Sequence, residues 1–134
     1  MGMPAINWLA VIAAALSMFV LGPVWYSPVL FVKQWAKAAG LEMDYANRGN
    51  FAVILGISFV LTLVMAANLA FFVAGVPDLG TVVFYAVAAG LGWAALSLWV
   101  ISLFERRPFA YVLINGGYLT VGFALMGLIL GLWR

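Results

Sequence analysis

Residues 79–104 read LGTVVFYAVAAGLGWAALSLWVISLF and contain no Asp, Glu, Lys, Arg or His over 26 positions. A helix rises about 1.5 Å per residue, so this stretch exceeds the roughly 20 residues needed to cross a hydrocarbon core of about 30 Å. Three further uncharged stretches lie around it, at residues 1–32, 49–77 and 108–133. We therefore predict an integral membrane protein with four transmembrane helices.

The connections between these stretches predict how the helices follow one another. We place the spans at about residues 5–31, 50–74, 79–104 and 108–133, in one transmembrane domain that covers residues 1–134. Short turns at residues 75–78 and 105–108 predict antiparallel neighbours, with Asp78 as a helix cap. The fold class is all-α, an integral membrane four-helix bundle.

The segment between the first two spans carries a different pattern. Pro23 and Pro28 each remove a helical donor, which predicts a kink or an unwound last turn, and we place the bend at Gly22-Pro23. In residues 29–39, the apolar side chains recur at helical spacing opposite Lys33, Gln34 and Lys37. We predict a short interfacial helix there on the cytoplasmic side, followed by a cap at Asp44 or Asn47.

Basic residues near span ends predict the orientation. The loops on one side of the membrane contain five basic residues, Lys33, Lys37, Arg48, Arg106 and Arg107, and the other side contains Arg134. Positive charge is retained in the cytoplasm, so we expect a cell (inner) membrane protein with both termini outside and the basic loops inside. Aromatic residues agree with this, since Trp8 and Trp133 fall at the outer interface and Trp35, Tyr45 and Tyr111 at the inner one.

Composition limits the classes of function. Only 7% of residues are charged and 68% are apolar, and the net charge of +2 lies beside the spans, so we expect membrane lipids and no nucleic acid as partners. The absence of Cys and His removes the usual zinc and imidazole metal ligands. The spans hold no Ser/His pair and no carboxylate dyad, so we expect no enzyme activity, no metal and no cofactor.

Small residues recur at four-residue spacing in the third and fourth spans. Such spacing lets helix backbones approach closely, and the residues are Ala86, Gly90, Ala94, Gly127 and Gly131. The pattern is typical of packing within a bundle and also of a subunit interface in a homo-oligomer. It leaves open which helices pair.

Polar and aromatic side chains inside the spans form two layers when depth is counted along each helix. The inner layer, in the cytoplasmic half, consists of Trp25, Tyr26, Ser27, Ser97, Trp99, Asn115 and Tyr118. The outer layer consists of Asn68 and Tyr85. One interpretation is that these groups hydrogen-bond between helices or anchor at an interface. The other is that the inner layer lines a pocket for a neutral or weakly cationic amphiphile.

Several motifs are familiar in combination. They are GPVWYSP at residues 22–28, Phe31-x-Lys33-x-Trp35-x-Lys37-x-x-Gly40, Asn115-Gly116-Gly117-Tyr118, Gly122-Phe123-x-x-Met126-Gly127 and Leu132-Trp133. Together they resemble domain-of-unknown-function family 1761, over essentially the whole chain. The resemblance implies a small bacterial four-span membrane protein and brings no established activity or catalytic residues. Pro23 departs from the small residue expected after Gly22.

Two functions remain open from the sequence. The first is an oligomeric transporter, channel or binding protein for a small solute or amphiphile. Small multidrug exporters share the size and span count, but they depend on an acidic residue in the first span, and this chain has none there. The alternative is a non-catalytic structural or lipid-interacting membrane subunit.

Overall fold

The computed structural model describes residues 5–27, 29–40 and 51–134. Its helices are α1 (Trp8–Trp25), α2 (Val32–Ala39), α3 (Phe51–Val73), α4 (Leu79–Ala89), α5 (Leu96–Phe104) and α6 (Phe109–Leu132), and a π-helical segment (Gly90–Ala95) joins α4 to α5. The described ranges contain no strand. Four helical stretches are long and apolar enough to cross a membrane, namely α1, α3, α6 and the third span Leu79–Phe104. The prediction of an all-α four-helix membrane bundle with a short helix after the first span is therefore confirmed.

Local capping explains where two of the spans begin. The Asn7 side chain accepts a hydrogen bond from the Ala10 backbone N–H at 3.2 Å at the start of α1. The Asp78 carboxylate accepts one from the Thr81 N–H at 2.9 Å and another from the Thr81 hydroxyl at 3.0 Å at the start of α4. These side chains satisfy donors that have no partner within the helix.

The first span ends earlier than residue 31. Helix α1 stops at Trp25, two residues after Pro23, and the chain then turns, with the Phe31 N–H bonded to the Trp25 carbonyl at 3.2 Å. Ser27 precedes a proline, which disfavours the helical conformation at that position. Helix α2 follows and ends at Gly40, whose φ of 72° is left-handed. Pro28, Asp44, Tyr45, Asn47 and Arg48 lie outside the described residues.

Helix α6 lies at the centre of the bundle. It packs extensively against α1 on one side and against α4 and the π-helical segment on the other, whereas α3 packs mainly against α1. Although one short turn connects α3 and α4, these two helices contact each other only sparsely. The core where α1, α3 and α6 meet is rich in small side chains, and its members include Ala10, Ala14, Ala15, Ala66, Ala70, Met18 and Met126.

Hydrogen bonds at the two ends of the bundle define which segments lie together. At one end, which we call the terminal end, the Asn7 amide donates to the Trp133 carbonyl at 3.3 Å, and the Arg134 guanidinium donates to the carbonyls of Ala74 and Val76. At the other end, the basic end, Arg107 donates to the Ala39 carbonyl at 3.0 Å. The start of α1 and the C-terminal Arg134 therefore share one end with the 74–78 turn. Which end faces the cytoplasm stays a prediction.

Candidate functional site

An aromatic seam joins the last turn of α1 to α6 near the basic end. The indole N–H of Trp25 donates a hydrogen bond to the Ile114 carbonyl at 2.8 Å. The indole reaches α6 because Gly117 has no side chain. A Cβ atom built there would lie 2.9 Å from the Trp25 ring.

Tyr26 is the second member of the seam. Its hydroxyl donates to the side-chain oxygen of Asn115. Its ring lies between Tyr118 and Trp35, with centroids 5.6 Å and 5.1 Å away. Tyr26 thus links α1 to α6 and also to the short helix α2.

Tyr118 completes the seam one turn further into the bundle. Its hydroxyl donates to the Met18 carbonyl at 3.3 Å and lies beside Gly22. The structure thus brings together Trp25, Tyr26, Asn115 and Tyr118, as the counted depths suggested. The polar donors of the three aromatic side chains bond to α6 or α1, so this arrangement fastens helices together.

The other predicted members of the inner layer lie elsewhere. Ser27 is half-buried in the turn after α1, where its carbonyl accepts from the N–H groups of Leu30 and Val32 at 3.0 and 3.2 Å. Ser97 is exposed on α5. Trp99 is also exposed, and its ring packs against Phe109 with centroids 5.2 Å apart. Equal depth did not bring Ser97 and Trp99 to the seam, because both lie on the exposed side of α5.

The outer layer lies on the surface of the bundle. Asn68 and Tyr85 are both exposed, and no hydrogen bond joins them. The Tyr85 ring packs on Phe84 with centroids 6.2 Å apart. Asn68 makes no side-chain hydrogen bond with any residue that the structure describes.

The small residues of the third and fourth spans meet across the α4–α6 interface. A Cβ built on Gly127 would lie 2.4 Å from the Ala86 Cβ, and one on Gly131 would lie 2.6 Å from Leu79. Gly90 lies against Phe123, where a Cβ would approach to 2.7 Å. These glycines allow close backbone contact within one chain.

The remaining small residue of that pattern, Ala94, does not occupy the buried position that follows Gly90 on the third span. In the π-helical segment the Leu96 N–H bonds to the Leu91 carbonyl, five residues earlier, so one extra residue fits into the turn. The buried face therefore moves from Ala94 to Ala95, which lies 3.3 Å from a Cβ built on Gly116. Regular four-residue spacing could not reveal this shift.

Cavities that open on the bundle surface include three whose described lining residues do not include Asn115. A groove of about 340 Å³ between the third span and α6 is lined by apolar residues that include Trp99, Phe109, Val121 and Gly117. A cleft of about 290 Å³ between α3 and α4 contains Phe72, Tyr85 and Trp93. A cavity of about 220 Å³ at the terminal end is lined in part by Asn7 and Arg134.

Sequence reasoning also missed Ser102. It is buried in α5, and its hydroxyl has no partner among the described residues. A single Ser in an apolar run carries no signal of burial, because the run has no polar face to compare it with. Within the described ranges, no group of three Cys, His, Asp or Glu side chains could hold a metal ion.

Comparison with known proteins agrees with the motifs. The model of the family described as "Protein of unknown function (DUF1761)" matches residues 9–131, which is nearly the whole chain. No curated protein and no solved structure gives a significant match. The match confirms the resemblance drawn from residues 22–28 and 115–118. The chain belongs to the DUF1761 family.

Proposed function

We propose that this protein is a non-catalytic, lipid-interacting membrane protein that holds an amphiphile against the groove between its third span and α6. The observation that carries the proposal is the groove itself, about 340 Å³ in volume and lined almost entirely by apolar side chains. It runs from Trp99 to Leu91, about 12 Å at 1.5 Å per residue. An acyl chain fits a long apolar groove of this kind better than a polar solute does.

The basic end supplies a place for an anionic head group. Phe109, which lines the groove, follows the Arg106-Arg107 turn by two residues. Arg106 is exposed, and Arg107 stacks on the Tyr111 ring with 5.2 Å to the centroid. Guanidinium groups bind phosphate through paired hydrogen bonds, so a phospholipid with its phosphate at this turn would lay its chain along the groove.

A transporter or channel for a small solute receives less support from the geometry. The aromatic seam is the polar layer where such a solute would bind, and its polar groups already make hydrogen bonds between helices. The Trp25 indole N–H donates a hydrogen bond to the Ile114 carbonyl, and the Tyr26 hydroxyl donates one to the Asn115 side-chain oxygen. A solute would have to break these bonds between α1 and α6 before it could enter.

The experiment compares lipid-dependent thermal stabilisation of purified protein in detergent. We expect phosphatidylglycerol to raise the melting temperature more than phosphatidylcholine. Val121→Trp fills the groove and should reduce the shift from both lipids. The matched control is Val20→Trp on the exposed surface of α1, which should keep the full shift. Equal shifts for Val121→Trp and wild type would contradict the groove as the binding site.

The head-group site is tested separately. Arg106 has a left-handed φ of 58°, so Arg106→Asn removes the charge with a residue that tolerates this backbone conformation. We expect it to abolish the preference for phosphatidylglycerol, while the exposed control Lys33→Asn retains it. An unchanged preference in Arg106→Asn would place the head group elsewhere.

A further inference from the structure

A stripe of exposed residues runs along α3 on the side away from the core. Ile54, Ile57, Leu61 and Val64 are each between 52% and 58% exposed, and Asn68 continues the same line. Their spacings of three, four, three and four residues repeat the a and d positions of a coiled coil. The opposite face of α3 is buried in the bundle through Thr62, Ala66, Leu69, Ala70 and Val73. Over the second half of α3 the chain thus leaves this stripe uncovered, whereas residues 52–57 are exposed on every side of the helix.

Asn68 makes this face unlike an ordinary lipid-facing surface. It is exposed, it makes no side-chain hydrogen bond with any described residue, and it lies five residues from the end of α3. That places the amide about 7.5 Å inside the helix end. Lipid tails offer no hydrogen-bond partners, so an unpaired amide at this depth costs several kcal/mol. A helix from outside the chain is the partner that can supply them.

We propose that the stripe is a dimer interface and that its occupant is α3 of a second copy of this chain. Two copies inserted in the same orientation are related by a twofold axis along the membrane normal. Such an axis brings residues of equal depth together, so Asn68 meets Asn68 of the second copy. An amide carries both donors and an acceptor, so two facing Asn side chains satisfy each other. A single Asn at an a position also fixes register and favours two strands.

A different membrane protein would fit the stripe less well. It would need a polar group at the depth of Asn68 on its own heptad face, whereas a second copy supplies one automatically. The stripe also lies on α3, apart from the groove between the third span and α6, so dimer formation and lipid binding are separate properties.

Cysteine crosslinking in membranes of expressing cells tests the interface, because the chain has no native Cys. Val64→Cys should form a disulfide-linked product of twice the chain mass that contains only peptides of this chain. The matched control is Leu16→Cys, which is exposed near the middle of α1 and should give little product. Equal crosslinking at both positions would indicate random collision, and a product containing another protein would overturn the second copy as the occupant.

Substitution of Asn68 tests the role of the amide. In detergent, Asn68→Leu should raise the dimer dissociation constant about three- to twenty-fold, the range expected for an interhelical polar contact, and Asn68→Gln should restore much of the affinity. Asn68 is exposed, so Asn68→Leu should leave the melting temperature of the monomer unchanged, which separates lost association from lost folding. A dissociation constant that is the same for wild type and Asn68→Leu would refute the pairing of the two amides.

Discussion

At the scale of single residues, the contact between Tyr26 and Asn115 gives the sharpest test of the aromatic seam. Tyr26→Phe and Asn115→Leu each remove one partner of the bond between α1 and α6. We expect each to lower the free energy of unfolding by about 1–2 kcal/mol, and the double variant to lose little more than either single one. Unfolding by a denaturing detergent measures these values. Tyr85→Phe, whose hydroxyl has no described hydrogen-bond partner, is the control and should change little.

The opposite result for Asn115 would support a pocket. If Asn115 faced a cavity, Asn115→Leu would leave stability unchanged or raise it, because it would remove an incompletely satisfied amide. Such a variant would at the same time lose any ligand-dependent rise in melting temperature. That pattern would restore the transporter hypothesis for the inner layer.

Gly127 tests the closest approach of α4 and α6. Its added Cβ would lie 2.4 Å from the Ala86 Cβ, so Gly127→Ala must push the two backbones apart. We expect a loss of about 1–3 kcal/mol in the free energy of unfolding, typical of overpacking. Gly56→Ala on α3 is the matched control, since nothing lies within 4 Å of the added atom. It should be neutral or slightly stabilising, and an equal effect of both substitutions would show that the contact between Gly127 and Ala86 adds no cost of its own.

Depth was the residue property that the sequence predicted well. Counting along each helix placed Trp25, Tyr26, Asn115 and Tyr118 at one level, and in the structure Tyr26 contacts both Asn115 and Tyr118. Trp25 bonds beside them, to the Ile114 carbonyl. Counting cannot give the direction in which a side chain points, and these spans are apolar all round, so no polar face indicates the rotation of a helix. For this reason Ser97 and Trp99 were grouped with the seam although they lie on the surface.

At the scale of elements, the π-helical segment decides which face of the third span is buried. The buried positions Val82, Ala86 and Gly90 follow α-helical spacing, and the next is Ala95, five residues on. Deleting Gly92 should convert the segment to an α-helix and keep the buried face of α5 in register with that of α4. We expect the deletion variant to retain its fold and most of its thermal stability in detergent.

Deletion of Ser97 is the control for that experiment. It removes one residue from α5, where no extra residue exists, so the positions after it rotate by about 100° relative to α4. The buried Ser102 should then turn outward, with a clear loss of stability. If both deletions were equally damaging, the π-helical segment would have a role that its geometry alone does not explain.

Helix boundaries agree with the sequence where a capping or helix-breaking residue marks the end of a helix. The Asp78 cap and Pro108 mark the starts of α4 and α6, and Gly40 ends α2 with a positive φ. The end of α1 at Trp25 was less predictable. A helix can continue beyond a proline, so the first span could have extended further past Pro23. The π-helical turn had no sequence signal, since its extra residue is set by packing against α6.

At the scale of the whole molecule, orientation in the membrane remains the main prediction. The terminal end should lie outside and the basic end in the cytoplasm. In intact cells, Asp78→Cys should react with a membrane-impermeant thiol reagent, whereas Lys37→Cys should react only after permeabilisation. Both positions are exposed, so accessibility within the fold does not differ. The reverse pattern would overturn the orientation, and labelling at both sites in intact cells would indicate dual insertion.

The arrangement of spans around α6 was beyond the sequence. Short turns predicted that the spans they join would pack together, and this holds for the third span and α6. It fails for α3 and α4, which contact each other only sparsely, and it did not indicate that α6 would also pack on α1. Small residues on α4 and α6 indicated close packing without naming the partner. Only the fit between particular positions, such as Gly127 with Ala86 and Gly90 with Phe123, selects one arrangement.

The central position of α6 also sets the order of events on the ribosome. The chain is made from its N-terminus, so α1, α3 and the third span enter the bilayer before their common neighbour exists. At about 5–20 residues per second, the third span waits a few seconds with its glycine face open to lipid. Until the last helix arrives, the nascent chain is therefore an α1–α3 hairpin with a loosely attached third span. During that interval we expect it to be most open to insertion factors and to proteolytic quality control.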